Sequence, residues 1–249
     1  MRVIVLGAGG RLGSRALAAC VHAGHDATAF VRSADRLQAA VGGELLKRVR
    51  VVEGDASDAE ALAAAMEGHE ACIQAAGYLG DKPEQGLQLQ RLVATATQVA
   101  NASLVGARRL WVLGLAGALN LPGRRIMLVD VPGFPFPQYR AHKHNLAFLQ
   151  RSEFDSLDWS FACPGMMTEP AGGSGGAVVV PARVTVDELP VKLPPWAALL
   201  PPPLLLPAVA AIRPQLVGPS YEEVAAAMVQ HLAPNGPLRH RRVSFAAAA

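Results

Sequence analysis

The sequence is poor in cysteine, in lysine and in aromatic residues, and each shortage excludes a class of protein. Three cysteines, Cys20, Cys72 and Cys163, are spread over 249 residues. They are too few and too scattered for a disulfide framework or a zinc knuckle, and each reads as a small buried apolar residue in a reducing compartment. Lysine occurs only at positions 47, 82, 143 and 192, and aromatics make up 5% of the chain. With a formal net charge of +3, there is no basic face with interleaved aromatics of the kind a nucleic-acid binder carries. The small cluster Arg239, Arg241 and Arg242 reads as a solvated edge. Charged residues amount to 17% against 51% hydrophobic, too apolar a balance for a disordered chain.

An uninterrupted membrane span is also lacking. The uncharged stretch Leu193–Ile212 is long enough, but it contains Pro194, Pro195, Pro201, Pro202, Pro203 and Pro207. Each removes a backbone donor, and lipid offers no replacement partner. The stretch is expected to be a buried loop, a substrate lid or a subunit contact, with Trp196 packed inside it. The N-terminal run Val3-Ile4-Val5-Leu6 breaks at Gly7 without a small-residue cleavage site, so it reads as a strand rather than a secretory leader, and the cytoplasm is the expected location.

What is present is alternation. Continuous apolar runs at Arg2–Leu6, Ala27–Arg32, Arg48–Glu53, Ala71–Ala75, Arg109–Leu113 and Asp158–Cys163 read as strands covered on both faces. Amphipathic segments at Arg11–Ala23, Ala34–Val41, Asp58–Met66, Glu84–Leu104 and Gln138–Arg151 lie between them. This repetition predicts an α/β fold, a Rossmann-type doubly wound parallel sheet with right-handed crossovers. Ser57-Asp58-Ala59-Glu60 and Ser220-Tyr221-Glu222-Glu223 match capping boxes, and Asp81-Lys82-Pro83-Glu84 reads as a cap with proline in the first turn. After Pro164 the composition shifts. A flexible Gly172–Gly176 segment, a strand Ala177–Val186 with Pro181 as an edge or break, a helix Tyr221–Leu232 and a strand Arg242–Phe245 follow. The expected organisation is one domain, 1–249, with a core at 1–170 and a smaller C-terminal lobe at 171–249.

The chemistry begins at Gly7-Ala8-Gly9-Gly10-Arg11-Leu12-Gly13, between the first strand and the first helix. Glycines there permit a tight turn and close backbone approach to a pyrophosphate, and the helix start supplies free N–H groups. The second strand ends in Phe30-Val31-Arg32-Ser33, with no carboxylate for a ribose 2′-hydroxyl. Arg32 suits a 2′-phosphate instead, with Arg11 as a second partner, so NADP(H) is favoured over NAD(H). Gly54-Asp55-Ala56 and Ala75-Ala76-Gly77 end the third and fourth strands and belong to the same site. Asp55 also suits a helix cap.

The Gly7/Gly10/Gly13 spacing, with Val31-Arg32, Asp35-Arg36-Leu37, Val52-Glu53-Gly54-Asp55, Leu157-Asp158-Trp159-Ser160 and Cys163-Pro164-Gly165, resembles the atypical short-chain dehydrogenases/reductases. It is similar to the subgroup of biliverdin reductase B, flavin reductases and NmrA-like proteins. The resemblance covers residues 1–170 and, loosely, the last thirty. It implies that Asp55 and Ala56 meet adenine, that Ala75, Ala76 and Gly77 line the ribose and pyrophosphate path, and that Pro164 lies near nicotinamide. In the wider superfamily Tyr-x-x-x-Lys and a Ser or Thr do the chemistry. Tyr139 and Lys143 have that spacing and, at i and i+4, share a helix face. The lysine would lower the phenol's pKa, making Tyr139 a proton donor.

Leu115 stands where relatives carry the Ser or Thr. That weakens alcohol/ketone and sugar-nucleotide epimerase chemistry and leaves two readings. One is hydride transfer from NADPH to a flavin, quinone or other conjugated small molecule. The other is a non-catalytic NADP(H)-sensing regulator of the NmrA-like type. A small-molecule substrate is the expected partner, with no nucleic acid, no membrane span, and a monomer or homodimer. No metal site is expected: His142 and His144, two apart on a helix, do not share a face.

Overall fold

The computed structural model describes residues 1–77, 82–136, 139–169 and 179–247. Ten strands appear: β1 (Arg2–Leu6), β2 (Asp26–Val31), β3 (Val49–Glu53), β4 (Ala71–Gln74), β5 (Arg109–Leu113), β6 (Asp158–Ala162), β7 (Met166–Thr168), β8 (Arg183–Val186), β9 (Val217–Ser220) and β10 (Arg241–Ala246). The helices are α1 (Arg11–His22), α2 (Ala34–Val41), α3 (Gly43–Leu46), α4 (Ala59–Met66), α5 (Pro83–Ser103), α6 (Arg140–Leu149), α7 (Leu206–Ile212) and α8 (Tyr221–Gln230). The Gly172–Gly176 segment, Asp81, Gln138 and Ala177 lie outside the described residues.

Eight strands form one sheet in the order β3-β2-β1-β4-β5-β6-β10-β8. All neighbours are parallel except β10 and β8. This is the doubly wound Rossmann-type α/β architecture that the alternation predicts. Successive residues of a strand point to opposite faces. On β1, Ile4 and Leu6 join a core with Phe30, Leu62, Val93, Val112 and Phe161. Val3 and Val5 join another with Leu17, Leu37, Trp111, Val224 and Met228. α1 and α8 lie side by side on that second face, tied by an ion pair of Arg15 Nε with Glu222 Oε1 at 2.6 Å.

Several local expectations are corrected. β3 is an edge strand, and its residues are half-buried or exposed rather than covered on both faces. Asp58, not Ser57, caps α4: its carboxylate accepts from the N–H groups of Glu60 and Ala61 at 3.0 and 3.2 Å. Ser57 instead bonds Asp55. The Ser220 box on α8 forms as expected. Arg242 is not part of a solvated edge. Its side chain is largely buried, pairing with Asp187 at 3.2 Å and donating to the Ala118 carbonyl at 3.0 Å. The proline-rich stretch folds as two short 3-10 turns followed by α7. It is not wholly buried: Leu199 is 89% and Trp196 48% exposed.

A buried charge sits at the far end of the sheet from the glycine turn. Arg109 at the start of β5 pairs with Asp158 of β6 at 3.0 Å, with both side chains almost fully buried. Its other donors reach Ser160 Oγ at 2.8 Å and the His231 carbonyl at 3.1 Å. Asp158 Oδ2 accepts from the Asn235 N–H at 2.8 Å. The guanidinium also lies 4.6 Å over the Trp111 ring.

Candidate active site

The carboxyl ends of β1, β2, β4, β5 and β6 converge, as ligand sites do in open α/β sheets. Gly7 follows β1 at φ +74°, donating to the Phe30 carbonyl at 3.1 Å, while its own carbonyl accepts from Gly10 at 2.8 Å. A Cβ on Gly7 would stand 2.6 Å from Ala76 Cα, and one on Gly13 2.2 Å from the Gly7 oxygen. These two glycines are required by the closeness of β4's end and of α1 to the turn. Gly9 is different: the nearest atom to a Cβ there would be 3.7 Å away. α1 starts beyond Gly10 with no side-chain cap and no acidic residue in its first turn. Its N-terminal N–H groups, Arg11, Leu12 and Gly13 among them, are therefore left for an outside acceptor. A pyrophosphate fits this donor set in charge and in backbone clearance.

Next to this turn lie the ends of β2 and β3. Arg32 is exposed just past β2. Asp55 is held as an Asx turn by the Ser57 N–H at 2.9 Å and hydroxyl at 2.8 Å. These bonds, with a smaller contribution from nearby Arg32, hold its carboxyl below the usual range. Ala56 beside it is buried. Ser33 and Glu53 cap the start of α2 by accepting from Arg36 and Ala34. The Arg36 side chain lies beside the glycine turn, with its Cγ 3.9 Å from the Cβ position of Gly9. Arg36 is a neighbour of the glycine turn that motif reading passes over, because its placement depends on the position of α2, whose Leu37 is buried. Arg11 does not join Arg32. Its side chain turns instead toward Tyr221 and toward Glu169 at 3.9 Å, and Tyr221 is the larger cause of its raised pKa.

On the other side, Gln74 is fully buried at the end of β4, and its amide donates to the Ala76 carbonyl at 2.6 Å. This braces the Ala75-Ala76-Gly77 turn. The Pro164 carbonyl accepts from Ala116 at 3.0 Å, which fixes the loop after β6 against the loop after β5. Leu115, in the loop after β5, is half-buried.

Tyr139 and Lys143 both stand at the start of α6, but they are differently engaged. Lys143 Nζ reaches the Asp130 carboxylate at 2.7 and 2.9 Å. Tyr139 lies over Gly117 and stacks on Phe136 at 5.5 Å, with Phe134 at 6.0 Å. Burial raises its pKa, with no lowering contribution from Lys143. The phenol therefore stays protonated at neutral pH, and the three rings make an aromatic wall beside the end of β5.

Residues 7–191 match the model of a family described as NAD(P)H-binding. The chain belongs to this family. YwnB of Bacillus subtilis, an uncharacterized protein, is 28% identical over 181 residues, covering 71% of this chain and 78% of YwnB. Among solved structures, SP1627 of Streptococcus pneumoniae TIGR4, a candidate NADH-flavin reductase, superposes with a TM-score of 0.69 at 22% identity, with full coverage of both chains. ChuY of Escherichia coli O157:H7, an anaerobilin reductase, gives 0.62 at 19% identity, covering 99% of this chain and 97% of ChuY. At these identities the structural likeness is one of fold.

The remaining candidates have structural surroundings. All three cysteines are buried and free, and burial pushes their thiols up, Cys20 to about 12. None is a poised thiolate. His142 is buried against Phe161, and burial lowers its pKa to about 4. His144 bonds Gln90 on the surface. Among the described residues no group of three His, Cys, Asp or Glu side chains could hold a metal, and no helix is long and apolar enough to cross a membrane.

Proposed function

We propose that this family member is an NADPH-dependent reductase of a flat conjugated acceptor such as a flavin or quinone. The observation that carries the reading is the aromatic wall of Phe134, Phe136 and Tyr139 beside a strand end that offers Leu115 in place of a hydroxyl. Bound NADPH supplies the hydride. The chain's own part is positioning. Gly7, Gly9, Gly10 and the first turn of α1 hold the pyrophosphate, with Asp55, Ala56, Ala75, Ala76, Gly77 and Pro164 along the path. Arg32, backed by Arg36, takes the 2′-phosphate. The apolar, partly buried wall orients a planar acceptor and excludes water from one side. The names of the two structural neighbours agree with an acceptor of this kind.

The deciding experiment pairs NADPH oxidation in the presence of FMN, FAD and a quinone panel with fluorescence titration of NADPH and NADH. NADPH is expected to bind more tightly. Arg32→Ala should weaken NADPH by about tenfold or more, the scale of a lost charge-assisted contact, while leaving NADH nearly unchanged. Equal weakening of both cofactors would remove Arg32 from the 2′-phosphate.

Lys143 and Tyr139 are assigned supporting roles. Tyr139→Phe, which keeps the ring, is expected to retain turnover within about twofold. Tyr139→Ala should raise KM about tenfold through loss of the stacking surface. A large loss of kcat in Tyr139→Phe, with an altered pH profile, would restore the phenol as proton donor. Leu115 also favours the second reading, an NADP(H)-sensing regulator. Tight NADPH binding with no turnover of any acceptor in the panel would favour it.

A further inference from the structure

We propose that the loop 195–204 docks the protein onto an anionic lipid surface, lying in the interface rather than crossing it. Pro195, Trp196, Ala198, Leu199, Pro201, Pro202, Pro203 and Leu204 are all exposed, and no polar side chain stands among residues 193–212. Exposure of this extent along one continuous segment marks an interaction surface. Three observations choose lipid as the occupant.

The first is the backbone. Apolar surroundings favour polar main-chain groups that are satisfied within the protein, and this loop satisfies several of its own. Six prolines between 194 and 207 carry no N–H. Ala197 donates to Pro194, Leu200 to Ala197, Leu204 to Pro201 and Leu205 to Pro202, at 2.9–3.3 Å. Arg124 donates to three carbonyls of the loop, reaching Leu200 at 2.8 Å, Ala198 at 2.7 Å and also Ala197.

The second is charge. Between Glu188 and Glu222 the chain has no acidic residue, only Lys192 and Arg213. Gln215 bonds the Lys192 backbone at 3.0 and 3.2 Å, which brings these two cations to the foot of the loop. Exposed Arg125 follows Arg124. Two acids lie in the neighbouring segments: Glu188 accepts from the Gly123 N–H at 3.2 Å and stays anionic, and Asp130 pairs with Lys143, so the positive surplus is carried by Lys192, Arg213 and Arg125. The result is an apolar tip rimmed by cations, complementary to anionic headgroups.

The third is the aromatic. Trp196 is half-exposed at the tip, where an indole's apolar body and N–H donor suit the headgroup boundary. Trp111 and Trp159 are buried, so a fluorescence change on contact with lipid reports Trp196.

The test is co-sedimentation of the full chain with vesicles of phosphatidylcholine alone or with added phosphatidylglycerol, alongside quenching of tryptophan by brominated lipid. Binding is expected to the anionic vesicles, weakening as salt is raised, with quenching that Trp196→Phe abolishes. Leu199→Ser, at a side chain with almost no protein contacts, should fold normally and bind about tenfold less. Failure to bind anionic vesicles overturns the proposal. So does binding that Leu199→Ser leaves unchanged. A dimer seen in sedimentation velocity without vesicle binding, and broken by Leu199→Ser, would reassign the face to a second copy of the chain. These outcomes are independent of which acceptor the protein reduces.

Discussion

Gly13→Ala is expected to lower NADPH affinity by about a hundredfold, the scale set by displacing binding groups by about 1 Å. The new Cβ would lie 2.2 Å from the Gly7 carbonyl oxygen. Both sides of that contact are backbone, so no side chain can swing aside. Either the first turn of α1 or the Gly7 peptide must move, and these are the groups proposed to hold the pyrophosphate. The same movement should cost about 1–3 kcal/mol of stability, as other overpacked sites do. Gly9→Ala is the control. Nothing crowds its Cβ, so thermal unfolding should be unchanged, and any loss of NADPH binding there reports contact with the ligand itself. Fluorescence titration and thermal melts on the two variants separate the effects. Wild-type affinity in Gly13→Ala would remove the glycine turn from the site.

Asp158→Ala should destabilise the fold by about 3–5 kcal/mol, because it leaves Arg109 charged and unpaired in the interior. Burial lowers the Arg109 pKa to about 10, opposed by Asp158, so the guanidinium remains charged near neutrality with its partner present. The variant also strands the Asn235 N–H that Asp158 accepts. Urea denaturation should show the loss as a shifted midpoint with a similar slope. The double change Arg109→Leu with Asp158→Leu should recover much of the stability, since a buried pair replaced by apolar groups is often neutral. If the single variant unfolds like wild type, the pair contributes little to holding β5 against β6.

The first six strands and the helices α1, α2, α4, α5 and α6 were legible because their signals are local: apolar runs, glycine stops and caps, whereas the single-turn α3 carries no such signal. Element ends shifted by a residue or two, as at β2 and α5. The glycine turn was legible for the same reason, since Gly7, Gly10 and Gly13 all fall within one turn. What escaped the sequence depends on distant packing. Nothing near Arg36 announces that α2 will lay it over Gly9. Arg11 pairs with Glu169 and Tyr221, more than 150 residues away, so its side chain could not be placed from the motif. The Tyr139/Lys143 spacing was visible, whereas Asp130, which engages the lysine, ends a short 3-10 turn with no motif. The small parallel ladder of β7 with β9 joins two segments that are individually too short to read.

The strand order also sets how the chain can fold. β10, near the end of the sequence, inserts between β6 and β8, and α8 covers the face of α1 near the beginning. During synthesis the apolar side of α1 must wait for roughly 200 residues, or about 10–40 s at ordinary translation rates, before its cover emerges. Contacts this distant in sequence make closure slow relative to local collapse. The nascent β1-α1-β2 unit is therefore exposed longest, and it is the segment where chaperone contact or aggregation should concentrate.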